Sequence, residues 1–155
     1  MDDKYKMLEL RNQISFPIYL CAKEIANKYA VVLKDLDLTY TQYIVMMYFW
    51  EIGSSNVKEL SKAILIDPST LTPLLRTLER KGYITRNKSA VDERNLLLKV
   101  TPKGMKLREK AKNIPSEFAG RLNMTDDEVA DMFRLLYKMI KNLKEDKWYG
   151  NKRDW

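Results

Sequence analysis

Between Asp67 and Lys110 the chain gathers the side chains that suit a polyanion. Eleven basic residues, among them Arg76, Arg80, Lys81, Arg86, Lys88 and Arg94, stand against five acidic ones (Asp67, Glu79, Asp92, Glu93, Glu109), a net +6. The other 111 residues hold 17 basic and 16 acidic groups, so nearly all of the formal charge of +7 lies in this one window. A basic zone in an otherwise balanced chain is the footprint expected for a phosphate-bearing partner. On charge alone, a solvated lysine-rich surface is the plain alternative. The cations fall on several elements, not on one amphipathic face, which argues against a membrane-surface helix. Other chemistry is thin. Without a single histidine in 155 residues, Ser-His-Asp and Cys-His nucleophiles, imidazole proton transfer and histidine-bearing zinc sites are excluded. The run Asp126-Asp127-Glu128 suggests carboxylate or divalent-cation chemistry at most. Acids in the first turn of a helix are the ordinary response to its dipole. Neither an enzyme nor a cofactor or metal site is expected.

The elements that must position the basic zone are legible in the spacing. At 45% hydrophobic and 32% charged the composition is globular, and with no repeat, linker or low-complexity stretch it predicts a single domain over 1–155. The longest apolar run, Tyr43–Trp50, has eight residues, far short of the ~20 of a membrane span. The opening Met1-Asp2-Asp3-Lys4 has none of the apolar character of a secretory signal. The lone Cys21 cannot form an internal disulfide, fits a reducing cytoplasm, and is expected to be a small buried hydrophobe. Apolar residues from Ile14 to Leu33 recur at helical spacing, with Ser15 expected as N-cap and Pro17 in the first turn. Thr39 with Gln42, Asn56 with Glu59 and Thr125 with Glu128 each read as a capping box opening a helix. Asp67-Pro68 starts another helix, which runs to about Lys81 and stops at Gly82, with Leu71, Leu74, Leu75 and Leu78 on its buried face. That leaves Ser69, Thr70, Thr72, Pro73, Arg76, Thr77 and Arg80 outside, with no acid among them. Tyr83–Arg86 and Leu96–Val100 read as strands around a polar tip, and Thr101-Pro102 opens a helix over 103–113 that Pro115 breaks. The outcome is a mainly α fold with a small β-hairpin wing, a winged helix-turn-helix.

These residues resemble a known family. Leu71-Thr72-Pro73-Leu74-Leu75 followed by Leu78-Glu79-Arg80-Lys81-Gly82-Tyr83-Ile84 resembles the recognition helix of MarR-type regulators. Asp92-Glu93-Arg94-Asn95 and Leu98-Lys99-Val100-Thr101-Pro102-Lys103-Gly104 resemble their wing and the start of the next helix, and the likeness runs from about residue 8 to 145. Asn12-Gln13-Ile14-Ser15-Phe16, with Tyr19, Tyr29 and Leu38-Thr39-Tyr40, resembles the OhrR branch of organic-peroxide sensors. One departure matters: those sensors carry their reactive cysteine where this chain has Ser15. A hydroxyl has neither the thiolate that peroxide attacks nor a route to sulfenic acid. Cys21 lies six residues on, about 240° round the helix, and is no evident substitute. Ser15 is either a Cys→Ser replacement that holds the reduced form or a natural difference in a relative answering another signal or none. The resemblance implies that Tyr19, Tyr29 and Tyr40 surround position 15, two of them across a dimer. On composition alone, aromatics on a helix are ordinary core.

The resemblance implies a homodimer, with helices at about 8–34 and 103–147 forming the interface and a winged helix-turn-helix over about 39–101. Two recognition helices would then meet successive major grooves about 34–36 Å apart and favour a near-palindromic operator in double-stranded DNA. Ser69, Thr70 and Thr72 are expected near base edges, and Arg76 at guanine or phosphate, with a helix ion pair to Glu79 as its plain alternative. Arg86, Lys88 and Lys62 are expected on phosphates. Arg94 resembles the family's minor-groove residue, with Asp92 placed to orient its guanidinium. The expected function is a repressor of peroxide-stress genes in a form that Ser15 makes non-oxidisable. The alternatives are a MarR-type repressor released by a small aromatic ligand, and a winged-helix protein-docking module. The last needs an apolar or aromatic anchor that the helix after Asp67 does not offer. Replacing Arg94 by alanine should weaken operator binding by roughly 1–3 kcal/mol in a gel-shift titration; unchanged binding would remove the wing from the interface.

Overall fold

The computed structural model describes residues 3–88 and 96–145. After two short 3-10 turns (Asp3–Leu8 and Leu10–Asn12) come α1 (Ser15–Val32), a 3-10 turn (Lys34–Leu36), α2 (Tyr40–Ile52), β1 (Ser54–Asn56), α3 (Val57–Ile64) and α4 (Pro68–Arg80). There follow β2 (Ile84–Lys88), β3 (Leu96–Val100), α5 (Pro102–Ala111), α6 (Ile114–Arg121) and α7 (Asp126–Glu145). The chain falls into two compact units, 1–110 and 111–155. Among the described residues no helix is long and apolar enough to cross a membrane.

Local chemistry explains most boundaries. All three capping boxes form. Thr39 Oγ1 accepts the Gln42 N–H at 3.3 Å while Gln42 Oε1 accepts the Thr39 N–H at 3.1 Å. Asn56 and Glu59 do the same for α3 at 2.8 and 3.3 Å, as do Thr125 and Glu128 for α7 at 3.3 and 2.8 Å. Each such cap is worth about 1 kcal/mol. Ser15 differs from expectation. It is the first residue of α1, with Ile14 at the N-cap position and no side-chain cap. The chain before it is already wound, and Gln13 supplies the carbonyl that takes the Phe16 N–H at 3.1 Å. Asp67 occupies the N-cap of α4 without a side-chain bond. Its carbonyl takes the N–H groups of Thr70 and Leu71 at 3.0 and 2.9 Å, so its carboxylate acts only by its charge. Pro115, read as a breaker, instead stands in the first turn of α6, where a missing N–H costs nothing.

The strands form one antiparallel sheet in the order β1-β3-β2, with Ser55 opposite Leu98 and Ile84 opposite Val100. The sequence pattern does not predict strand β1, because Ser54-Ser55-Asn56 has no alternating apolar residues. The core of the first unit is built from Leu33, Tyr43, Val45, Met46, Phe49, Leu60, Leu71, Leu75, Leu78, Ile84 and Leu98, all essentially without solvent exposure. Leu74, expected with the α4 leucines, is only half-buried.

The base of the hairpin is welded to α5. Thr101 Oγ1 donates to the Gly82 carbonyl at 2.6 Å and accepts the Gly104 N–H at 3.0 Å, while Trp50 Nε1 donates to the Gly104 carbonyl at 2.9 Å. At Gly104 a Cβ would lie 2.2 Å from the Tyr83 carbonyl oxygen and 2.9 Å from Val100 Cγ2. Backbone cannot yield there as a flexible side chain can. Gly104→Ala should therefore cost about 3 kcal/mol of stability, seen as a Tm lower by roughly 10 °C in a thermal melt; an unchanged Tm would show that the α5–hairpin junction is loose.

Candidate nucleic-acid interface

Helices α3 and α4 pack against each other, joined by a turn in which Leu65 takes a left-handed conformation (φ 57°) and Ser61 Oγ donates to the Ile66 carbonyl at 2.7 Å. Because Leu71, Leu75 and Leu78 are buried, α4 turns Ser69, Thr70, Pro73, Arg76 and Arg80 to solvent. Thr72 and Thr77 are half-buried, and each donates its hydroxyl to the carbonyl four residues back, at Pro68 (2.8 Å) and Pro73 (3.1 Å). With their protons given to their own backbone, these hydroxyls can only accept from a partner, and each threonine offers its methyl beside that oxygen. The single acid in α4, Glu79, faces Arg86 of β2, with Oε2 and Nη1 3.8 Å apart. Arg76 is exposed on the same helix. Arg86 is mostly covered, so its charge is already partly answered. Lys62 is exposed on α3, and Lys88 closes β2. Asp92 and Arg94 lie outside the described residues.

Ser15 and the three tyrosines expected around it separate into two groups. Tyr29 and Tyr40 stack with ring centroids 4.6 Å apart, and Tyr43 tilts against Tyr29 at 5.7 Å. Trp50 meets Tyr43 edge-on at 5.9 Å. Tyr43 and Trp50 join this cluster without having been singled out by sequence; the i, i+3 spacing from Tyr40 on α2 is the signal that finds Tyr43. Burial raises the Tyr29 phenol, with a further push from Tyr40, and burial alone raises Tyr40. Tyr43 is pushed up to about 12 by burial first and by Tyr29 and Tyr40 next. All three are neutral hydroxyls near pH 7. Ser15 and Tyr19 are exposed at the other end of α1. Fourteen residues of helix separate Ser15 from Tyr29, a rise of about 21 Å, so one chain cannot bring them together.

Cys21 corrects an expectation: it is exposed in the single chain, not buried. The physical reason lies in how α1 packs. Only its C-terminal end, at Tyr29, reaches the core, and Ile14, Tyr19 and Leu20 are exposed around Cys21. Among the described residues no three acidic or cysteine side chains gather into a metal-binding group.

The profile of the family described as "Transcriptional regulator SarA/Rot" matches residues 27–111. The organic hydroperoxide resistance transcriptional regulator of Bacillus subtilis (strain 168) is 32% identical over 145 residues, covering 94% of this chain and 99% of its own. The chain belongs to the SarA/Rot family of MarR-like winged-helix transcriptional regulators. The HTH-type transcriptional regulator SarZ of Staphylococcus saprophyticus is 39% identical over 140 residues, covering 90% of this chain and 94% of its own. Among solved structures, the S. aureus MepR–DNA complex superposes with a TM-score of 0.77 at 28% identity, covering 84% of this chain and 98% of that one. SarA/Rot membership agrees with the MarR-type reading of the recognition helix and hairpin, and it makes the chain a DNA-binding regulator of transcription. Its relatives are regulators, not enzymes.

The tyrosine cluster titrates in a defined window. A phenol whose folded pKa stands above its ordinary value near 10 contributes stability that is complete below that pH and lost as pH rises through the folded value. Stability should therefore fall from pH 10 towards about 12, and an absorbance titration should show a last phenolate step near 12 that Tyr43→Phe removes. Loss of all phenol protons near pH 10 would mean that the cluster is wet.

Proposed function

We propose that this regulator is a homodimeric, sequence-specific repressor of peroxide-stress genes, acting in the cytoplasm, whose sensor position is filled by a residue that peroxide cannot oxidise. The observation that carries the DNA-reading part is the exposed face of α4, where Ser69, Thr70, Thr72 and Arg76 present small, polar or cationic groups and the one acid is occupied by Arg86. Ser69, Thr70 and the Thr72 methyl read base edges, and Arg76 reaches guanine or phosphate. Lys62 and Lys88 lie along phosphates, Arg86 departs from its expected phosphate role because it is mostly covered and held by Glu79, and Asp92 and Arg94, between β2 and β3, work in the minor groove.

Two observations support the dimer. Helix α7 alone exposes Phe133, Leu135, Tyr137 and Leu143, each more than half accessible, which is more apolar surface than a soluble helix leaves uncovered. The ~21 Å of helix between Ser15 and Tyr29 means that the expected pocket closes only if Ser15 and Tyr19 of one protomer meet Tyr29 and Tyr40 of its partner. In such a pocket the Ser15 hydroxyl exchanges hydrogen bonds with neutral phenols, which preserves the architecture of the reduced sensor without its thiolate. The organic hydroperoxide resistance name of the B. subtilis relative supports the choice of signal.

One experiment tests the reading. The purified protein should sediment as a dimer and bind a duplex selected from a random pool, with affinity falling steeply as salt rises. Cumene hydroperoxide should leave that binding unchanged, whereas Ser15→Cys should make it peroxide-sensitive. A monomer, or a Ser15→Cys protein whose DNA binding ignores peroxide, would overturn the sensor-position assignment.

A further inference from the structure

Lys81 looks, by charge and place, like one more phosphate contact at the end of the recognition helix. Its surroundings say otherwise. As the C-cap of α4, its backbone N–H bonds the Thr77 carbonyl at 3.0 Å, and its own carbonyl accepts Lys103 Nζ at 2.7 Å. The ammonium turns away from the α4 outer face towards the turn between α1 and α2. There it bonds the Asp37 carbonyl, stands 3.1 Å from Asp37 Oδ1 and lies 3.5 Å from Gln42 Oε1. Three donors meet three acceptors, which is the full capacity of a lysine. The side chain is only 22% exposed.

The receiving end is shaped for this contact. Asp37 caps the 3-10 turn Lys34–Leu36 in a left-handed conformation (φ 51°, ψ 45°), which aspartate tolerates better than most residues. Gln42 is buried and already belongs to the capping box that starts α2. Tyr83, two residues past Lys81, reaches the same turn through its hydroxyl, 3.5 Å from the Leu36 carbonyl. Lys103 spans the back of this junction, with its ammonium 5.2 Å from the Tyr83 ring centroid. Lys81 is thus the point where the end of α4 is tied to the turn before α2 at Asp37, three residues before Tyr40 and its stack with Tyr29.

We infer that Lys81 and Asp37 form a latch that sets the angle of the recognition helix, and that Lys81 serves DNA binding by positioning α4 and not by touching phosphate. The inference rests on the reading that α4 faces DNA. It also identifies an acidic residue whose presence strengthens binding to a polyanion, the reverse of what its charge alone would do.

That sign is the test. Lys81→Met, Asp37→Asn and the double variant are titrated against the duplex selected by the wild-type protein, over a range of salt. Each single variant should bind roughly three- to thirtyfold more weakly, and the double variant no more weakly than Lys81→Met. The slope of log affinity against log salt should not change in any of them, whereas a lost phosphate contact would reduce it by about one. Asparagine keeps the left-handed turn, so Asp37→Asn carries the test even if Lys81→Met folds poorly. Binding that is unchanged or tighter in Asp37→Asn overturns the latch, as does a reduced salt slope in Lys81→Met. Amide exchange at Gly82 and Tyr83 reads the latch without DNA: faster exchange in Asp37→Asn supports it, and unchanged exchange overturns it. A wild-type protein that bound no duplex would sink the functional reading, while exchange would still judge the latch.

Discussion

Three leucines decide which way the recognition helix faces. Leu71, Leu75 and Leu78 are buried in the core of the first unit, and a helix anchored at i, i+4 and i+7 cannot roll about its axis without exposing them. Their burial is worth several kcal/mol in total. What α4 offers a partner follows from this rotation. Ser69, Thr70 and Arg76 are outside because the leucines are inside, and Glu79 falls where Arg86 can meet it. The same core holds Ile84 and Leu98, so the hairpin that follows α4 springs from a base fixed by the same packing.

Around that anchor the positive charge of the chain divides into two roles. Some cations remain available: Arg76 and Arg80 on α4 and Lys62 on α3 are exposed. Others are engaged at home, Arg86 with Glu79, Lys81 with Asp37, and Lys103 with the carbonyl of Lys81. Exposed ion pairs contribute little to stability, with a median near 0–1 kcal/mol. The value of these contacts is geometric: each joins two different segments of the chain, adjacent in space, where a small tilt would misplace the outward face.

What could be read from the chain beforehand divides along the same line. Contacts within four residues were legible: three capping boxes, the leucine stripe of α4 and the stop at Gly82, where φ is +75° and only glycine is at ease. What depended on distant partners was not. Ser54-Ser55-Asn56 becomes a strand because Leu97, Leu98 and Lys99 are there to pair with it. Ser15 loses its capping role to a turn wound before it, and Cys21 is uncovered because α1 buries only its far end. The basic window pointed to the correct partner, yet a count of charges cannot separate a free arginine from one already held by a glutamate. Of the residues expected around position 15, Tyr29 and Tyr40 stack on each other, and the resemblance could not reveal how far along α1 Ser15 stands from them.

The brevity of β1 has its own effect. It is the outer strand on one side of the sheet and has three residues, Ser54, Ser55 and Asn56, the last of which is already turned into the cap of α3. Such a stub offers too few unpaired amides for a foreign strand to zip onto. The sheet is thereby closed to edge-on growth on that side, and a second copy of the chain finds no ladder there on which to seed a fibril.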